Sequence, residues 1–231
     1  MKTPDSVGQQ KRELNAEEHK IATSLESFQH LEPKDRVFLV LVWKGLKTAT
    51  AVSLELGMPE SVLRDLKERV EKAGMLFNEG PVLNIRIRGS RPGKICLVAN
   101  NQKDLDLISH FWSRPDYGNH ERDPEIYWEM GRMSGLPQTA IEAYDKIYPK
   151  TVGAYRDRIK PQVLMVSEDE KIERLKDEPD LIPFATLFYM SRVNFNSEME
   201  IVRKWAEEIK KITPALYRLF INDFIKYRDR I

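Results

Sequence analysis

Between Pro81 and Gln102 the chain carries Arg86, Arg88, Arg91 and Lys94 and not one Asp or Glu. The whole sequence balances 37 Lys+Arg against 36 Asp+Glu, so this surplus is local. Guanidinium and ammonium groups gathered around a turn suit phosphate oxygens, which they meet by charge and by hydrogen bonds. A second group lies just upstream. Ser61, Arg64 and Lys67 share the polar part of a segment over 60–73, with Arg69 on its flank. Arg64 has the fork that matches guanine O6 and N7, and Ser61 can meet a phosphate or a base edge. The same segment holds Glu60, Asp65, Glu68 and Glu71, which repel phosphate unless they face away.

Other chemistry is poorly represented. His110, Asp116, His120, Glu121 and Asp123 crowd a loop with Phe111, Trp112 and Tyr117, yet their spacings match no metal-ligand motif. No Gly-rich phosphate loop and no Gly-x-Ser-x-Gly elbow occurs. The single cysteine, Cys96, sits in an apolar stretch and reads as a small buried hydrophobe. The expectation is a non-enzyme with no cofactor and no metal. The first residues lack an apolar signal core, and no apolar run approaches the roughly 20 residues that span a bilayer. A cytoplasmic protein without membrane contact is expected.

The elements that must position these groups follow from periodicity. Ile21, Leu25 and Phe28 mark one face of a lead-in helix over about 15–31. Pro33 suits the first turn of a strongly apolar helix over about 33–45. A short helix is expected over about 49–56, ended by Gly57, and another over about 60–73, ended by Ala73-Gly74. Leu83, Ile85 and Ile87 alternate with Asn84, Arg86 and Arg88, which predicts a strand over 82–88. Gly89 to Gly93 is turn chemistry, and 95–99 returns as an apolar strand.

Helix, helix, Gly-Met-Pro turn, helix and basic hairpin together resemble a winged helix-turn-helix over about 33–99. The resemblance implies a third helix that enters the major groove of double-stranded DNA and a wing that grips the backbone. It assigns DNA contact to Ser61, Arg64, Lys67, Arg86, Arg88, Arg91 and Lys94, most simply in transcriptional regulation. Members of this superfamily also serve as protein-interaction modules. The alternative is therefore a scaffold in a replication, virus or plasmid assembly that touches DNA weakly or not at all. The near-zero charge and the carboxylates of the third helix favour that alternative.

After residue 100 only helices are expected: about 104–112, 124–133, 138–148, 168–178, 198–212 and 214–229. Ser167 with Glu170 and Ser197 with Glu200 read as capping boxes. Gly135-Leu136-Pro137 echoes Gly57-Met58-Pro59, and is read as a common tight turn rather than a second helix-turn-helix. The run Glu168-Asp169-Glu170 with interleaved Lys171, Arg174 and Lys176 is a solvated helix face. Trp205, Ile209, Leu216, Leu219, Phe220, Phe224 and Ile225 make a broad apolar face, mostly core and partly a seam for a homodimer or a protein partner. The predicted protein is mainly α with a small β-hairpin. It comprises a polar tail and lead-in helix over 1–31, a winged helix-turn-helix over 32–100 and an all-α domain over 101–231.

Overall fold

The computed structural model describes residues 14–83, 93–113, 124–147, 164–187 and 190–228. Its elements in chain order are α1 (Ala16–Glu26), α2 (Pro33–Trp43), β1 (Ala49–Glu55), α3 (Glu60–Lys72), β2 (Leu76–Leu83), β3 (Gly93–Ala99), α4 (Gln102–Ser113), α5 (Pro124–Met133), α6 (Gln138–Ile147), α7 (Glu168–Arg174), a 3-10 turn (Pro179–Leu181), α8 (Ile182–Ala185), α9 (Phe195–Ile212) and α10 (Pro214–Arg228). The fold is mainly helical around one small antiparallel sheet of order β1-β3-β2. Among the described residues no helix is long and apolar enough to cross a membrane.

The sheet corrects one prediction. Residues 49–55 form an edge strand, not the second helix of a helix-turn-helix. Ala49 pairs with Ala99 and Val52 with Cys96 along an unbroken antiparallel register. The physical reason is a period of two within seven residues. Val52 and Leu54 face α2 and α3, while Ala49 and Ala51 face α4. Gly57, with φ +85°, then turns a strand rather than a helix into α3. Strand β2 also begins earlier than predicted, at Leu76. Asn78-Glu79-Gly80-Pro81 reads as a turn, but an edge strand tolerates it as a bulge between Glu79 and Val82.

Because β3 lies between two partners and two helical layers, nearly all its side chains are buried. Cys96 and Val98 belong to a core shared with α1, α2 and α3, whereas Ile95, Leu97 and Ala99 meet Leu105 and Ile108 of α4. The first core continues without a gap into Phe184, Trp205, Ile209, Leu216 and Phe220 of the C-terminal helices. The predicted boundary near residue 100 falls on the short link between β3 and α4, and burial is continuous across it. Cys96 is a buried free thiol, pushed up to about 12 chiefly by desolvation.

Local caps largely follow the sequence. Ser167 and Glu170 form the expected capping box, with Glu170 N–H donating to Ser167 Oγ at 3.2 Å and Ser167 N–H donating to Glu170 at 3.1 Å. Ser197 does not cap. Helix α9 starts three residues earlier than predicted, at Phe195, whose ring is buried, and the Ser197 hydroxyl donates to the Asn194 carbonyl at 2.8 Å. Burial of Phe195 outweighs the hydroxyl cap.

The Gly135 turn does join two helices, α5 and α6, and its backbone is closely packed. Gly135 has φ +71°, and a Cβ there would lie 2.4 Å from the Leu46 carbonyl oxygen and 3.2 Å from the Trp205 ring. Gly135→Ala is expected to cost about 2–4 kcal/mol, because the left-handed backbone and the backbone clash both oppose it. Chemical denaturation checks this, and a loss below about 1 kcal/mol would show that the joint yields.

Candidate nucleic-acid interface

The register sets the geometry of the candidate surface. Glu55 at the end of β1 stands opposite Gly93 at the start of β3, and Leu83 at the end of β2 pairs with the same Gly93. Helix α3 begins five residues beyond Glu55. Its N-terminus and both ends of the β2–β3 connection therefore lie at one end of the sheet. The N-cap position is Pro59 and no side chain caps the helix, so its first N–H groups are open to an anion.

Arg86, Arg88 and Arg91 lie in that connection, outside the described residues. Lys94 is on β3, half-buried, with its Nζ 3.1 Å from Glu79 of β2. Its charge is thus answered locally, and the basic surplus rests on the three arginines.

On α3 the predicted residues separate. Leu66 and Val70 are buried and Val62, Leu63 and Ala73 pack against the same core, which turns Ser61, Arg64, Lys67, Glu68 and Glu71 outward. Arg64 is exposed and makes no ion pair among the described residues. Lys67 stands 3.9 Å from Glu71 and Lys72 stands 3.4 Å from Glu68, both at i, i+4. The carboxylates do not all face away: Arg64 is the α3 cation left without an ion pair among the described residues, and the N-terminal part of the helix that it shares with Ser61 also exposes Glu60, which competes with phosphate there.

Arg69 has a different role. Its Nε donates to Asp65 at 2.9 Å, and its Nη1 donates to the Ser24 carbonyl at 2.6 Å and to Ser27 Oγ at 3.2 Å. The guanidinium also lies 5.3 Å from the centroid of the Phe28 ring. It clamps α1 to α3. Beside it runs an open cleft of about 500 Å³, lined by His19, Lys20, Thr23, Ser24, Asp65, Arg69 and Lys72. Lys20 faces Glu17 at 3.7 Å, and with the Asp65 and Glu68 pairs this leaves the cleft without a clear basic excess.

The C-terminal helices spend most of their apolar face internally. Trp205, Ile209, Leu216 and Phe220 are buried, while Leu219 and Ile225 are exposed. Glu198, 1% exposed, accepts from Thr139 at 2.8 Å and from the Ser191 N–H at 2.6 Å, tying α6 to the start of α9. Burial raises its pKa and these hydrogen bonds oppose the rise. Asp104 of α4 is buried against Arg132 of α5 at 2.9 Å; desolvation acts to raise its pKa, but hydrogen bonds from Asn101 and Arg132 help to outweigh it and hold the carboxyl below its usual range.

Of the predicted loop cluster, His110 is exposed on α4, while Asp116, His120, Glu121 and Asp123 lie outside the described residues. Among the described residues no group of three or more His, Cys, Asp or Glu is placed to hold a metal ion. No family model, curated protein or solved structure matches the chain.

Proposed function

We propose that the chain binds duplex DNA, mainly through its phosphates, in a regulatory role. The observation that carries the reading is the convergence at one end of the sheet. The uncapped N-terminus of α3, with Ser61 and Arg64, shares that end with a β2–β3 connection holding three arginines and no carboxylate. The dipole of α3 adds to the field there, and a groove-bound backbone would meet N–H groups and guanidinium groups together. Base reading is confined to Arg64 and Ser61, since the next turns of α3 present Glu68 and Glu71. A second copy, joined through Leu219 and Ile225 of α10, would supply two half-sites.

Arg64→Ala is the residue-level test of base reading. Affinity for a selected site should fall by about 1–3 kcal/mol while affinity for random duplex changes little. An equal loss on both duplexes would reduce Arg64 to a phosphate contact.

The alternative, a protein-interaction module, is favoured by one observation. Three of the four α3 cations are matched by α3 carboxylates, which leaves a mixed surface suited to another protein. Under that alternative, binding to duplex would be absent at low salt.

A further inference from the structure

Lys47 lies between the end of α2 and the start of β1, and only 6% of it is exposed. Its ammonium makes no ion pair among the described residues. It rests on rings instead, 3.8 Å from the centroid of Phe38 on α2 and 5.7 Å from that of Trp205 on α9. A charge held this way recovers only part of its lost hydration. Asp35, one turn before Phe38 and equally buried, accepts from the Ser53 N–H of β1 at 3.1 Å.

Several layers close on this point. Gly135 of the α5–α6 turn packs against the Leu46 carbonyl and the Trp205 ring, and Thr48 N–H donates to the Met133 carbonyl at 2.9 Å. Asn100 Nδ2 donates to the carbonyls of Val42 at 2.6 Å and Lys47 at 3.4 Å. The charged groups bearing on Lys47 both come from α2: Asp35 favours its charged form and Lys34 opposes it. Glu32 and Lys34 act in turn on Asp35. From α9 it meets Trp205, and from β1 and the α5–α6 turn it meets no ion-pair partner among the described residues.

We propose that Lys47, with Asp35, is a proton-operated latch on the joint between the sheet and the C-terminal helices. Uncharged, the amine packs as an aliphatic chain between Phe38 and Trp205 and the joint is tight. Charged, it holds a desolvated cation beneath Trp205, and α9 packs against the sheet at a cost.

Burial places the latch near neutrality, pushing Lys47 down from 10.5 to about 7 and Asp35 up from 3.8 to about 6. The signs are opposite. Unfolded Lys47 keeps its proton up to about 10.5 while the folded form releases it above about 7, so stability rises with pH across that window. Folded Asp35 keeps its proton up to about 6 while the unfolded form releases it near 3.8, so stability falls as pH rises through that lower window. The pair contributes least between about 6 and 7.

The test is chemical denaturation of the full chain from pH 7 to 9.5, beside Lys47→Met, which keeps the unbranched chain and removes the proton. Relative to the variant, the parent's folding constant should rise by up to about tenfold per pH unit. Parallel profiles would overturn the latch. Should Lys47→Met fail to fold, the Lys47 Cε resonance of the parent decides. A titration near neutrality supports the latch, and one near the ordinary lysine value overturns it.

Discussion

Trp205→Ala is expected to lower the stability of the fold by about 3–5 kcal/mol, read by chemical denaturation at pH 8. Trp205 is among the largest fully buried side chains, 2% exposed, and it joins three parts of the molecule. It lies in the core with Phe184, Ile209 and Leu216, it abuts Gly135 of the α5–α6 turn, and its ring faces the Lys47 ammonium. Truncation removes the transfer free energy of the indole and leaves a cavity that a tight joint cannot collapse. Trp205→Phe should restore most of the loss, since it refills the space with a ring. The cavity would open beside Lys47 and admit water, so the Lys47 titration should move back toward the ordinary lysine value. A loss below about 1 kcal/mol for Trp205→Ala would show that the indole fills no essential space.

Arg88→Ala combined with Arg91→Ala is expected to weaken duplex binding by roughly tenfold or more at low salt, alike on all sequences. Each arginine that neutralises one phosphate contributes about 0.9 to the slope of log affinity against log salt, so the double variant should lose about 1.8. The loss cannot be made up by Lys94, which is held by Glu79 at 3.1 Å, nor by Lys67 and Lys72, which face carboxylates of their own helix. An unchanged salt slope in the double variant would remove the β2–β3 connection from the interface.

The helices were readable because their periodicity and caps agree with their packing. Helix α2 has Pro33 at its start and six consecutive apolar residues from Val37 to Val42, and α3 has a narrow apolar stripe at Leu66 and Val70. Strand β1 was not readable by the same means. Six residues of Ala, Thr, Val, Ser and Leu followed by Glu55 fit either period, and pairing with β3, some forty residues away, decides between them. The first half of β2 was hidden by Gly80-Pro81, which an edge strand accepts and a central strand would not. The candidate surface was legible in part. The acid-free stretch around the hairpin is a property of composition, whereas the neutralisation of Lys94 by Glu79 depends on register. Arg69 looked like a surface cation and is a clamp, because α1 brings the Ser24 carbonyl to it across 45 residues. Asp35 and Lys47 gave no sign of burial, since nothing in the local sequence says that β1 will pack on Asp35 or that Trp205 will cover Lys47.

The most direct measurement is fluorescence anisotropy of a random duplex titrated with the full chain at low and at moderate salt. Micromolar binding that falls steeply with salt, with a log–log slope of about −3 or steeper, is the result expected if three wing arginines and the open N-terminus of α3 meet phosphates. No binding at low salt, or binding indifferent to salt, would contradict a phosphate interface and leave the sheet and α3 as a surface for another protein.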